Sequence, residues 1–351
     1  MKTSALLINH NSGGTILKAI QSLIDQTYPL QTIMVVDNGS TDGTIEVIRN
    51  AFPPVQLMEL GENRGLSYAR NFGLSHLTSE LVLLVDDDVY LSTDALQKMV
   101  DALRETGAII VCPRIVLYPE ITTIQCDGAR IHFSGTLALC HAYEPASTRP
   151  PERVIANGFI GACLLADRET LMSAGGFDED YFFYFEDLEL SYRLRGLGYE
   201  ICCEENAIAH HERGQGTQNL SFRGSGLYPT RRAYFNLRNR WLTTLIHYQT
   251  RTLFILFPIL LIYEFAAFIL SVKRGWLSIY FKAVFSLLSN LPSILKRRAG
   301  SQSTRKVMDR DILSGGELPL SRGFVRDKDI YLLNLLNRVL NTCWIRAKRW
   351  L

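Results

Sequence analysis

Over its first 112 residues the chain alternates short apolar runs rich in Val, Ile and Leu with segments of helical periodicity, and few architectures satisfy that order. Strands are expected at Ala5 to Ile8, Thr32 to Val36, Val55 to Leu60, Leu81 to Val85 and Ala108 to Cys112. Between them Leu17, Ile20, Leu23 and Ile24 form one apolar helical face, and Thr93-Asp94 ahead of Ala95-Leu96 has the chemistry of a helix start. The order βαβαβαβαβ predicts a mainly parallel sheet covered by helices. A chain of 351 residues is long enough for such a domain and an appendage.

Ligands of open α/β sheets bind beyond the carboxyl ends of the strands. Here those ends are unusually polar: Asn9-His10-Asn11-Ser12-Gly13-Gly14, Asp37-Asn38-Gly39-Ser40-Thr41-Asp42-Gly43, Gly61-Glu62-Asn63-Arg64-Gly65 and Asp86-Asp87-Asp88. Turn and cap chemistry accounts for any one of them. Four on one rim point to a ligand. No GxGxxG follows the first strand and no GxxxxGK[ST] occurs, so the usual dinucleotide and P-loop cradles are excluded and phosphate must be held by other means.

Three constellations carry chemistry. In the triplet Asp86-Asp87-Asp88, adjacent like charges repel unless a cation or ligand relieves them, and a hard divalent ion such as Mg²⁺ or Mn²⁺ takes carboxylate oxygens. Alternate strand residues face opposite sides, so Asp86 and Asp88 can share one side while Asp87 takes the other. In Glu186-Asp187-Leu188-Glu189 the acids suit a helix start and Glu189 suits an i,i+4 pair with Arg193. The preceding Tyr181 to Phe185 supplies an apolar surround that raises a carboxylate's proton affinity, which makes Asp187 the expected general base. Third, His210-His211 follows the strand-like Tyr199 to Cys203 and precedes a polar, glycine-containing loop, Glu212 to Gly224. Adjacent imidazoles there suit a ligand position, more naturally for Mn²⁺ than for Mg²⁺.

Taken together, VVDNGSTDGT at 35 to 44, NRGLSYARNFG at 63 to 73, the DDD, GGFDEDYFFYFEDLELSYRLRGLGY at 175 to 199 and HH at 210 to 211 resemble the inverting nucleotide-sugar glycosyltransferases of family 2, rhamnosyltransferase-like and polysaccharide-assembly members above all. The resemblance covers about residues 4 to 240 and implies a GT-A fold, an α/β domain with a mainly parallel central sheet. It implies that Asp37 meets the nucleotide base, that Asn9, Asn11 and Asn38 lie by the nucleoside, and that Arg64, Arg70 and Asn71 line the donor site. Asp88 becomes the direct metal contact for Mn²⁺ or Mg²⁺, with Asp86 and Asp87 near the donor sugar or ribose. Asp187 becomes the catalytic base, with Tyr184, Phe185 and Glu186 on the acceptor side. One of His210 and His211 completes the metal site, and the motif leaves open which. The implied partners are a UDP- or dTDP-sugar and a glycan or lipid-linked acceptor. A non-catalytic nucleotide-sugar binding or scaffold protein is the competing class.

The balance of 37 Lys and Arg against 35 Asp and Glu argues against a nucleic-acid partner. Seven Cys without a CxxC pair read as reduced thiols, and the short apolar run at the amino terminus reads as a first strand rather than a signal peptide. Residues 1–240 are expected to form the catalytic domain, 241–300 membrane-associating helices, and 301–351 a polar linker with an amphipathic helix from Ile330 to Leu351. Leu253 to Val272 and Trp276 to Leu295 each approach bilayer-spanning length, the second with a polar stripe through Ser278, Lys282, Ser286, Ser289 or Asn290, and Ser293. Basic flanks at Arg251, Lys273-Arg274, Lys296-Arg297-Arg298 and Arg305-Lys306 favour in-plane or re-entrant attachment at the cytoplasmic membrane face over a single span. The basic end Arg346 to Arg349 suits anionic lipid, and an oligomer interface is a further way to bury the apolar helices.

Overall fold

The computed structural model describes residues 1–119, 121–212, 228–319 and 330–351. The chain forms two compact units, the first made of Met1–Ala129, Leu139–Leu190 and Tyr199–Thr217, the second of Arg130–Ala138, Ser191–Gly198 and Gln218–Leu351.

The first unit opens with β1 (Thr3–Asn9), α1 (Thr15–Ile24), β2 (Thr32–Asp37), α2 (Thr44–Ala51), β3 (Gln56–Glu59), α3 (Leu66–His76) and β4 (Leu81–Asp86). β5 (Val89–Leu91), α4 (Ala95–Thr106), β6 (Ile110–Leu117) and β7 (Ile124–Cys126) follow. β8 (Ala129–His132) and β9 (Thr136–Leu139), which fall mostly in the second unit, lead to β10 (Arg153–Ala156), β11 (Cys163–Asp167), α5 (Arg168–Ser173), α6 (Glu186–Gly196), whose last residues from Ser191 also count with the second unit, and β12 (Ile201–His211). The main sheet runs β10-β12-β6-β11-β4-β1-β2-β3, with β5 on β12 and β7 on β6. β4, β1, β2 and β3 are parallel; β11 is antiparallel to β4 and β6. All five expected strands are present, and Ala5, Leu7, Leu81, Leu83 and Val85 lie in the core with exposures of 3% or less.

Four local expectations need correction. α1 buries Ile16, Ala19, Ile20 and Leu23, while Ile24 is half exposed, so the helix is turned from the expected face. β6 continues through Pro113 to Leu117 instead of ending at Cys112, because β12 pairs with it as far as His211↔Leu117. The two histidines therefore belong to the strand instead of following it. Finally, Trp276 to Leu295 is not one helix: it breaks at Asn290, ahead of Pro292, with a bend of 65°. Most of the loop expected after His211 and part of the carboxyl-terminal linker lie outside the described residues.

The second unit contains α7 (Thr230–His247), α8 (Thr250–Lys273), α9 (Leu277–Ser289), α10 (Leu291–Ser303), α11 (Asp309–Ile312), β13 (Leu313–Ser314) and α12 (Ile330–Ala347). It starts before the expected boundary at 240 because α7 packs on α9 and α10. Arg130–Ala138 joins it as well, since β13 pairs with β8 and the Tyr248 hydroxyl donates to the carbonyls of His132 and Phe133. Arg238 to Trp241 lies within α7, where Arg240 is bonded to Glu264.

Candidate active site

Backbone register sets the rim of the first unit. β1 and β2 end together at Asn9↔Asp37, β4 ends one row earlier at Ile8↔Asp86, and the Asp86 N–H donates to the Ala162 carbonyl at 2.9 Å. The first two loops are laced to each other. Asn9 Nδ2 donates to Asp37 Oδ1 at 2.6 Å, Asp37 Oδ2 accepts the N–H groups of Gly39 and Ser40, and Asn11 Oδ1 accepts the Thr41 N–H at 2.8 Å. Asn38 Oδ1 accepts the Arg64 N–H at 2.9 Å, which joins the third loop.

Arg70 on α3 is the hub of the site. Its guanidinium is 2% exposed and donates to Asp86 Oδ1 at 2.9 Å, to the Gly161 carbonyl at 2.7 Å and to Glu186 Oε1 at 3.3 Å, beside the Phe177 ring. The Gly161 N–H in turn donates to Asp187 Oδ2 at 3.3 Å, and Asp187 Oδ1 accepts the Leu188 N–H at 2.8 Å. One continuous chain of bonds thus links the acidic triplet to the carboxylates that start α6. A Cβ on Gly161 would lie 2.8 Å from Arg70 Nη1, so glycine is needed for the guanidinium to reach its three acceptors.

Electrostatics follow from this crowding. Burial raises the Asp86 carboxyl despite Arg70, and burial with both neighbouring carboxylates lifts Asp87 well above the usual range. Glu186 is pushed up to about 8 by burial and by Asp187, and its Oε2 is buried without a hydrogen-bond partner among the described residues. Asp187 is itself raised by burial, against the N–H groups of Leu188 and Gly161. Immediately before these two acids, Tyr184 and Phe185 hold φ at +65° and +69°. Consecutive bulky residues in the left-handed region are strained, and such strain clusters at functional sites.

Several expected site residues are placed behind the rim rather than on it. Asn9 is fully buried, Asp37 1% and Asn38 4% exposed, each engaged by loop partners, so their side chains shape the rim from beneath. Arg70 does the same for Asp86. Asn71 brackets the Phe177 backbone, donating to its carbonyl and accepting its N–H at 2.8 Å. Arg64 is exposed and stacks on Tyr68, 3.6 Å from the ring centre, while Asn11 is half buried with φ +53°. Asp87 and Asp88 form the turn after β4, and Asp87 accepts the His10 N–H. β12 separates the two histidines: His211 Nε2 lies 3.2 Å from Asp88 Oδ1, whereas His210 points to Ser92 Oγ and stacks near Tyr90. His211 Nδ1 is buried and has no hydrogen-bond partner among the described residues. A carboxylate and an imidazole converging in this way fit a borderline divalent cation.

Sequence reasoning missed Gly161, which lies in Asn157-Gly158-Phe159-Ile160-Gly161-Ala162 directly ahead of β11. It also missed a second charged cluster, Asp127, His141 and Glu205, whose ligand-type atoms lie within 4.8 Å of one another. There the Arg114 guanidinium bridges Asp127 and Glu205 at 2.7 to 2.9 Å, filling the position a cation would take. No local motif announces it, because its members come from distant parts of the chain.

Replacing Arg70 with Met removes the one cation shared by Asp86 and Glu186. Breaking a buried pair of this kind costs about 3–5 kcal/mol. The expected result is a matching drop in unfolding free energy by denaturant titration, and a drop under 1 kcal/mol would refute the hub.

Solved structures share this architecture. GalNAc-T7 with UDP, GalNAc and Mn²⁺ aligns over 70% of this chain and 48% of its own, with TM-score 0.56 and 18% identity. The mannosyltransferase of Pyrobaculum calidifontis in complex with GDP-Man and Mn²⁺ aligns over 97% of this chain and 87% of its own, with TM-score 0.52 and 18% identity. The fold is that of the GT-A glycosyltransferases. Residues 4–127 match the model of Glycosyl transferase family 2, and the fold expected from the motifs is met. The N-acetylglucosaminyl-diphospho-decaprenol L-rhamnosyltransferase of Mycobacterium tuberculosis is 26% identical over 230 residues, 58% of this chain and 74% of its own. The poly-beta-1,6-N-acetyl-D-glucosamine synthase of Staphylococcus epidermidis is 26% identical over 214 residues, 58% of this chain and 48% of its own.

Proposed function

We propose that the protein is an inverting glycosyltransferase that moves a sugar from a nucleotide-diphosphate donor to a lipid-linked glycan acceptor at the cytoplasmic face of the membrane. The observation that carries this reading is the bonded chain Asp86–Arg70–Gly161–Asp187, which ties an acidic donor-side triplet to a separate, half-buried carboxylate. Asp187 takes the proton from the acceptor hydroxyl, and the oxygen attacks the anomeric carbon from the face opposite the leaving diphosphate. A single displacement inverts that centre. Asp88 and His211 are the residues that would hold Mn²⁺ or Mg²⁺, which when bound supplies positive charge against the leaving diphosphate. Glu186 and Arg70 hold the start of α6 in place, and the strained Tyr184-Phe185 turn presents the acceptor side. The rhamnosyltransferase named above, whose own name specifies a diphospho-decaprenol acceptor, supports a lipid diphosphate as the acceptor class.

The test is a nucleotide-release screen of the full chain with UDP-, dTDP- and GDP-sugars, with and without a polyprenyl-diphosphate glycan. Acceptor-dependent release from one donor class is expected. Saturable donor binding with no release under any combination would instead establish the binding or scaffold role.

A further inference from the structure

By length and composition α8 is the one described helix that passes as a membrane span, with 24 residues and a mean hydropathy of 2.5 over its most apolar window. Its surroundings argue otherwise. Phe254, Phe257, Leu261, Ile262, Phe265, Ile269 and Val272 are exposed, from 39% to 85%, at spacings that keep them on one side of the helix for about 27 Å. The opposite side buries Thr252, Leu256, Ile259, Leu260 and Ser271 within the second unit. At mid-helix, Glu264 accepts from the Arg240 guanidinium, from Trp241 Nε1 at 2.8 Å and from the Tyr280 hydroxyl at 2.8 Å.

Those partners fix what the middle of α8 faces. Arg240 and Trp241 belong to α7, which also carries Arg231, Arg232 and Arg238. On α9, Lys282 lies 5.6 Å from the ring centre of Tyr234, another α7 residue. Were α8, or α8 with α9, to cross a bilayer, its midpoint would draw α7 and its arginines to the centre of the hydrocarbon, where charge is most costly. Lying in the plane of the leaflet, α8 keeps that polar side above the lipid and its aromatic stripe in it.

We propose that the second unit is a monotopic membrane seat, with α8 in the interface and anionic headgroups as its partner. This deepens the membrane reading above and rests on it. Charge selects the headgroup: from Thr250 to Lys306 the chain has nine Lys and Arg and a single acid, Glu264, which is turned inward, and from Ile330 to Leu351 it has four Lys and Arg and no acid. Exposed Arg251, Lys273, Lys282, Lys296, Lys348 and Arg349 supply attraction that a neutral leaflet does not return. The exposed sides of α9, through Phe281, Phe285 and Leu288, and of α12, through Tyr331, Leu332 and Leu335, extend the apolar contact.

The experiment is co-flotation of the full chain with vesicles of phosphatidylcholine, with and without phosphatidylglycerol, followed by labelling with a membrane-impermeant thiol reagent. Binding to the phosphatidylglycerol vesicles that falls on adding salt is expected, and the variant F257E/F265E should lose it by about a hundredfold or more. Both side chains are more than 60% exposed, so an unchanged melting curve is expected and checks that the variant is folded. In a background with Cys140 and Cys343 replaced by Ser, T250C and R274C should both label from outside the vesicle. Labelling at one end alone would overturn the in-plane seat while leaving membrane association intact. Equal binding to neutral vesicles would overturn the headgroup selection, and no binding to either would overturn the membrane reading itself.

Discussion

Asp187→Asn binds the nucleotide-sugar donor as the wild type does and transfers it about 10²- to 10⁴-fold more slowly. The amide is close to the carboxylate in shape, and its one oxygen keeps one of the two bonds, from the Gly161 or the Leu188 N–H, while its NH2 faces the other donor, so a modest loss of stability accompanies the loss of proton removal. The acid limb of the rate profile gives an independent readout. A base works deprotonated, and burial raises the Asp187 carboxyl, so wild-type transfer climbs as pH rises through that elevated value. The Asn variant shows no such limb. Isothermal titration with donor and a stopped product assay across pH measure both effects, and full turnover by Asp187→Asn would remove it from the base's role.

The second large effect concerns charge at the leaving diphosphate. Chelation of divalent cations, or Asp88→Ala, is expected to lower transfer by about 10²- to 10³-fold, the range seen when one group stabilising developing negative charge is removed. His211→Ala should follow it at about 10- to 100-fold, with activity partly regained at raised Mn²⁺. His210→Ala should stay close to wild type, because that ring faces Ser92 and Tyr90 rather than Asp88. Equal losses for the two histidines would refute the division of labour that β12 imposes.

What could be read from residues alone follows the range of the physics involved. Strand position and rim polarity are local properties, and Leu81 to Val85 followed by three Asp showed both. The exposure of the rim side chains is not local. Asn9 and Asp37 look like ligand contacts in the sequence, yet each is the other's hydrogen-bond partner across two parallel strands, which only the register reveals. Gly161 was passed over for the same reason, since its role depends on an arginine from α3. The histidine question was answerable in principle from strand alternation, but only once the strand was known to reach past Ile208. The break at Asn290 was hidden because length and average apolarity are the same for a straight helix and a bent pair, and the polar stripe runs through both halves.

The sheet order also sets a timetable for the ribosome. β1 to β4 are mutual neighbours and can pair as soon as they emerge, but β6 at first finds only the short β7, because its two main neighbours in the sheet, β11 and β12, are synthesised later, from Cys163 and from Ile201. A nascent chain therefore exposes its crowded carboxylates first, gains Asp187 next and receives His211 last. Until that final strand slots between β10 and β6, the half-made sheet offers two open edges to any neighbour. Slow synthesis between these points lengthens the aggregation-prone interval, and expression at reduced temperature with abundant chaperone is the natural remedy.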